Sequence, residues 1–146
     1  MKIRVEGTDL AGVIANMRAL GKAGPEAGAR VLGQLAQDVA AKARLLCPDD
    51  PTTPEANLRD TIRATKATRG QSGMISAAVI AGGARLNKLK GGKGWNIIAI
   101  VQHEDVTLKH AHGQAKFVEQ PFLQTVPSVG PAIQEALDQE AQRVVG

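Results

Sequence analysis

His103, Glu104, Asp105, His110 and His112 fall within one ten-residue stretch, three imidazoles and two carboxylates that zinc or another divalent cation accepts as ligands. Their spacing is not that of a helical H-E-x-x-H site, because positions 106 and 107 are Val and Thr and neither supplies the second histidine one turn after His103. The stretch reads as a solvated polar loop. No metal and no other cofactor is expected, and a metal-dependent enzyme using His103, His110 and His112 ranks last among three functional readings.

A second constellation, G-G-K-G at residues 91–94, resembles a phosphate-binding loop, in which successive backbone N–H groups and a lysine hold phosphate oxygens. The full pattern ends Gly-Lys-Ser/Thr and begins with a glycine five positions earlier. Here Gly94 follows Lys93 and Asn87 holds the place of that glycine, so the motif is rejected. No nucleophile elbow is present, and Ser, His and Asp form no local pattern that nominates a triad. No catalytic residue is expected.

The third constellation is charge without acid. Residues 82–96 carry Arg85, Lys88, Lys90 and Lys93 and no carboxylate, and they supply the whole excess of 18 Lys plus Arg over 14 Asp plus Glu. Lysines on a glycine-rich tip bind phosphate without reading bases, and Trp95 as sole aromatic offers no stacking platform for single strands. The chemistry available is non-specific contact with duplex DNA, contact with an acidic protein face, or solvation alone. The second functional reading is accordingly a small basic DNA-binding protein. Against it, both long helices mix Lys and Arg with Ala, Gln and acids instead of presenting a basic face.

The elements that would position these residues follow from hydrophobic periodicity. Ile3 and Val5 alternate with charged residues, as in a short strand. Thr8 caps a helix carrying Leu10, Val13, Ile14, Met17 and Leu20, closed by Gly21. Pro25 opens a second helix to about Leu46, with Val31, Leu32, Leu35, Val39, Ala43 and Leu46 on one stripe, and Cys47-Pro48 stops it. The proline-rich residues 48–57 form an exposed loop. Residues 58–67 and 74–81 read as strands joined by a turn at R-G-Q-S-G, and I-I-A-I-V at 97–101 as a strand apolar on both faces. The basic stretch then becomes a mobile hairpin loop at 82–96. Residues 102–114 form a loop, 115–120 a helical turn, and P-F-L-Q-T-V-P an extended segment. Ser128 starts a last helix with Val129, Ile133, Leu137, Ala141 and Val144 on its buried face. The expected fold is α+β: one domain over residues 1–146, an antiparallel sheet of about four strands packed against two N-terminal helices and one C-terminal helix.

With 146 residues, two Phe, one Trp and no Tyr, the core has to be aliphatic, and such a chain is expected to draw stability from neighbouring subunits. The single Cys47 forms no internal disulfide and reads as a small core residue. M-K-I-R-V-E-G lacks the apolar run of a signal peptide, and I-I-A-I-V is too short to span a bilayer. Neither secretion nor a membrane partner is expected.

Two stretches resemble the neck and minor tail component family of long-tailed bacteriophages. A-K-A-R-L-L-C-P-D-D-P-T-T-P-E-A-N-L-R-D-T-I is similar to that family's long helix running into Ala-Pro-Val-Asp-Thr-Gly and then Leu-Arg-x-Ser-Ile, with Pro48, Asp49, Leu58, Arg59 and Ile62 matching. The family's glycine before the strand is missing, and the loop is longer. I-I-A-I-V-Q-H-E-D followed by Q-P-F-L-Q-T-V is similar to its Tyr-Val-Glu-Phe-Gly-Thr strand end and its Gln-Pro-Phe-Leu-x-Pro-Ala, matched by Glu104, Gln120, Pro121, Phe122 and Leu123. The strand end lacks the aromatics and the Gly-Thr.

The resemblance implies a non-enzymatic virion protein, assembled in the host cytoplasm, that closes into a ring of six copies at the head-tail joint. Its partners would be copies of itself, head-closure or connector proteins, and tail terminator or tail tube proteins. In such a ring the basic loop adds about +24 around a channel in which duplex DNA presents one charge per ~1.7 Å of axis. Facing outward, the same lysines would meet an acidic neighbour. On physical grounds Pro48 ends the long helix, while Pro121 fixes an extended segment from which Phe122 and Leu123 anchor the last helix.

Overall fold

The computed structural model describes residues 10–48, 58–82, 99, 103–107, 109–110 and 112–145. The predicted strand at residues 3–5, the Thr8 cap, Asp49 with the rest of loop 49–57, and Arg85, Lys88, Lys90 and Lys93 lie outside those residues. Helix α1 spans Leu10–Ala19 and α2 spans Ala23–Leu46. A 3-10 turn at Leu58–Thr61 leads into four short strands, β1 (Arg63–Ala64), β2 (Thr68–Arg69), β3 (Ile75–Ser76) and β4 (Val79–Ile80). Helix α3 spans Glu119–Val145. The fold is α+β, with its antiparallel pairing carried by two two-stranded ladders, β1 with β4 and β2 with β3.

The chain forms two compact units, to which α2 and α3 each contribute residues. The first holds α1, α2 up to Ala36, residues Thr65–Ala78 and α3 from Thr125. Gly21, at φ 58°, ends α1 as the sequence predicts, its N–H bonding the Arg18 carbonyl oxygen at 3.1 Å. Helix α2 then crosses α1 so closely that a Cβ on Gly24 would collide with the carbonyl oxygen of Met17. Val13, Ala27, Ile133, Ala136 and Leu137 make the core of this unit, with Met17, Leu20, Val31 and Val129 packed against it. At its surface Asn16 donates to the side-chain oxygen of Gln134 (2.9 Å), and Arg30 pairs with Glu140 at 3.4 Å.

The β2–β3 ladder of this unit closes through a turn in which Gly73 N–H bonds the Gly70 carbonyl oxygen (2.9 Å), within the predicted R-G-Q-S-G segment. Behind it, the Ala78 N–H bonds the Thr65 hydroxyl oxygen (2.9 Å) where a regular ladder would use the Thr65 carbonyl. Residues 65–67 of the first arm thus oppose 77–78 of the second, a bulge that separates the two ladders.

The second unit holds α2 from Gln37, the 3-10 turn, β1, β4 and the chain from there to Gln124. Ala40, Ala43, Cys47, Leu58, Ile62, Ala99, Phe117 and Val118 form its core. Cys47 is fully enclosed, as its setting in the sequence suggests. Phe117 is also fully enclosed, and burying an aromatic side chain of that size stabilises by about 1.5–3 kcal/mol.

Three expectations are corrected. Residues 58–61 are not strand: the Thr61 hydroxyl donates to the Leu58 carbonyl oxygen (2.7 Å) and Ile62 N–H bonds the Arg59 carbonyl oxygen (3.2 Å), winding the chain into a 3-10 turn before it extends. Of the predicted strand at 97–101 only Ala99 is described, and it is helical and buried. The last helix begins at Glu119, not Ser128, and takes in the whole of P-F-L-Q-T-V-P. Pro121, Thr125, Val129, Ile133 and Leu137 recur at four-residue spacing and turn inward along it, while Pro127 and Pro131 lie on its exposed side. Pro121 sits in the first turn, where a missing N–H removes no intrahelical bond. Each interior proline removes one bond, but continuous burial of the opposite stripe keeps the helix intact.

Candidate functional site

Three structural groups carry the residues that the sequence nominates. The first holds the base of the basic loop. Thr61, almost fully buried, accepts the Gly82 N–H on its hydroxyl (2.8 Å) while that hydroxyl donates to Leu58. Arg63 donates to the carbonyl oxygens of Thr61 and Gly82, each at 3.0 Å, and Arg44 Nε donates to that of Ile62 (2.9 Å). Two guanidinium groups thus satisfy backbone oxygens where α2, the 3-10 turn and the end of β4 meet, so the chain enters residues 83–96 from a fixed point.

The second group surrounds His103. Its ring is buried and lies edge-on to Phe117, centroids 5.0 Å apart at 81°. The Glu119 N–H, at the start of α3, donates to Nε2 of the ring at 3.3 Å. A neutral ring that accepts at Nε2 carries its proton on Nδ1, and that nitrogen lies 2.7 Å from a Glu104 carboxylate oxygen, to which it donates. His103 therefore caps α3 from a distant part of the chain, satisfying one of the amides that a helix start leaves without an acceptor.

Lys116 completes this group. Its ammonium bridges Glu104 and, at 3.1 Å, Glu119. Its backbone stands at φ 56°, the left-handed region, held by its N–H to the His103 carbonyl oxygen (2.8 Å) and by the Gln120 N–H to its own oxygen (3.0 Å). Hydrogen bonds from Lys116 and then His103 hold the Glu104 carboxyl below the usual carboxylate range. Its bonds to Glu104 and then Glu119 push the Lys116 ammonium above the usual lysine range.

Ligand atoms of His103, Glu104 and Glu119 lie within 4.8 Å of one another, the spacing of a metal site. The arrangement does not fit an ion. A cation would have to displace the ammonium that already bridges both carboxylates and break the hydrogen bond at the imidazole nitrogen it took. The sequence cluster itself is dispersed: His112 is exposed, and His110 is half-buried with Nε2 enclosed and unpartnered among the described residues. Neither joins a ligand group with His103 among the described residues.

The third group comprises the motif residues. Leu58 and Ile62 are core, Arg59 and Pro48 half-buried, and Glu104 and Gln120 exposed. Pro121 is buried in the first turn of α3 and Phe122 half-buried, but Leu123 is 57% exposed. The anchoring predicted for Phe122 and Leu123 is instead made by Phe117, Val118 and Pro121, because a helix beginning at 119 turns 121 and 125 inward and 120, 123 and 124 outward. Sequence reasoning missed Phe117, Lys116 and Glu119. The rarity of aromatics was the one available signal for Phe117; nothing local announces a lysine in the left-handed region.

Among the described residues no helix is long and apolar enough to cross a membrane. In comparisons by sequence and by structure, no family model, curated protein or solved structure matches this chain.

Proposed function

We propose that this chain is a structural subunit of a long-tailed phage virion, closing into a homo-oligomeric ring at the head-tail joint and catalysing no reaction. The reading rests on the two motif stretches described above. One observation carries it furthest: Leu58 and Ile62 of the first stretch share a core with Phe117 and Val118, which lead directly into the Gln120-Pro121-Phe122-Leu123 turn of the second. Exposed Leu123 beside a shallow groove lined by Lys116, Glu119, Gln120 and Gln124 offers apolar surface to a neighbouring subunit. The finer fold belongs to the same reading, with one antiparallel sheet of about four strands packed against the three helices. So do the partners: further copies, head-closure or connector proteins, and tail terminator or tail tube proteins, with Arg85, Lys88, Lys90 and Lys93 facing either DNA in the channel or an acidic neighbour.

Native mass measurement of the purified protein, alone and mixed with head-closure and tail-tube proteins, tests the proposal. A closed multiple of the subunit mass in either sample is the expected result. A strictly monomeric protein in both samples, binding duplex with a steep salt dependence, would replace it with the DNA-binding reading suggested by the basic loop.

A further inference from the structure

The bond from the Glu119 N–H to His103 Nε2 exists only while the imidazole is neutral with its proton on Nδ1. We infer that His103 is a proton-operated switch at the start of α3, exchanging the backbone amide of Glu119 for the side-chain carboxylate of the same residue. In the neutral arrangement Nδ1–H bonds Glu104, Nε2 receives the Glu119 N–H, and Lys116 bridges the two carboxylates. A proton taken from solvent at Nε2 turns that nitrogen into a donor, and two donors then face each other across 3.3 Å. The new N–H needs an acceptor. An oxygen of Glu119 lies within 4.8 Å of one of the ring nitrogens, and the switch assigns that carboxylate the role of the new acceptor. Glu119 then leaves Lys116, and its amide turns to water.

The charged groups around the ring define what else responds. From its own turn, Glu104 keeps the Nδ1–H bond in both states. From the 115–118 turn, Lys116 retains Glu104 and loses Glu119. From α3 comes Glu119 itself. Arg44 of α2 and Arg63 of β1 are held by the carbonyl oxygens of residues 61, 62 and 82. Phe117 supplies an apolar wall that offers the proton no partner. One acceptor is exchanged for another, so the fold persists while the first turn of α3 loses its cap. Histidine side chains change charge between about pH 5 and 8, which sets the range over which the exchange is sought. The inference does not depend on the phage reading.

Heteronuclear NMR of the full chain from pH 8 to pH 5 tests it. The expected result is that the His103 ring and the Glu119 amide shift with a common midpoint. Exchange of that amide, corrected for its intrinsic pH dependence, should rise at least tenfold across the range. In His103→Asn the amide should stay constant over the same range, and in Glu119→Gln the ring should titrate at lower pH because its charged acceptor is gone. An amide that holds still while the ring titrates would overturn the switch, as would one that moves equally in His103→Asn. Should that variant fail to fold, a ring midpoint unchanged by Glu119→Gln overturns it as well.

Discussion

Lys116 concentrates the local chemistry in one residue, because its backbone lies in a region that L side chains avoid while its side chain bridges two carboxylates. Backbone and side chain pull in opposite directions. Lys116→Ala removes the bridge and keeps the backbone cost; Lys116→Gly removes both. We expect the glycine variant to be more stable than the alanine variant by about 1 kcal/mol in urea unfolding, the usual scale for a non-glycine residue in that region. The same bridge sets a pH dependence. Glu104 titrates below its ordinary range in the folded chain, so its contribution is complete above the unfolded carboxylate range and is lost as pH falls through the lowered folded value. Lys116, raised, contributes fully below the unfolded lysine range and loses that contribution as pH rises through its folded value. Stability measured against pH should therefore fall on the acid side in the wild type, and less steeply in Glu104→Gln.

At the scale of elements, helix ends depend on distant segments. The last carbonyl of α2, on Leu46, accepts the Gln114 N–H at 2.8 Å, and the residue before it, Gly113, stands at φ 82° against the Cys47–Pro48 backbone. A Cβ there would lie 2.5 Å from the Pro48 nitrogen. Gly113→Ala combines a disfavoured backbone with a backbone collision, and we expect a loss of about 2 kcal/mol or more, twice the strain of the left-handed region alone. A calorimetric melting temperature within a degree of wild type would show that the 112–114 segment yields freely. Thr61 plays a matching part at the start of the basic stretch: its one hydroxyl satisfies both Leu58 and Gly82, so Thr61→Val should cost about 1–3 kcal/mol through two buried groups left unpaired.

Across the whole molecule, a chain with two Phe, one Trp and no Tyr builds, among its described residues, two small aliphatic cores, one of them around the fully buried Phe117. Cores of this kind suit a subunit that gains further stability from its neighbours, which is the logic of the proposed ring. The charge excess is separable from that logic. Replacing Lys88, Lys90 and Lys93 together with Ser should leave the melting temperature within about 2 °C of wild type, since substitutions in glycine-flanked polar segments away from a core seldom matter for stability. A larger drop would show that the basic stretch is packed.

Amphipathic periodicity, which acts through neighbours three and four residues apart, determined α1 and α2, while Pro48 marked the end of α2 and the glycines of R-G-Q-S-G at residues 69–73 marked the turn. The buried stripe Val129, Ile133 and Leu137 was equally legible, but the start of its helix was not. Ser128 and the prolines carry the local signals of a boundary, and what overrides them is the burial of Pro121 and Thr125 together with a cap supplied by His103, sixteen positions before the helix begins. The 103–119 site was hidden for the same reason. Histidines close in sequence suggested a cluster, whereas the fold disperses them and joins His103 to Lys116 and Glu119 instead. Spacing along the chain encodes only what adjacent turns can share; a hydrogen bond closed across a loop is decided when the core brings its two ends together.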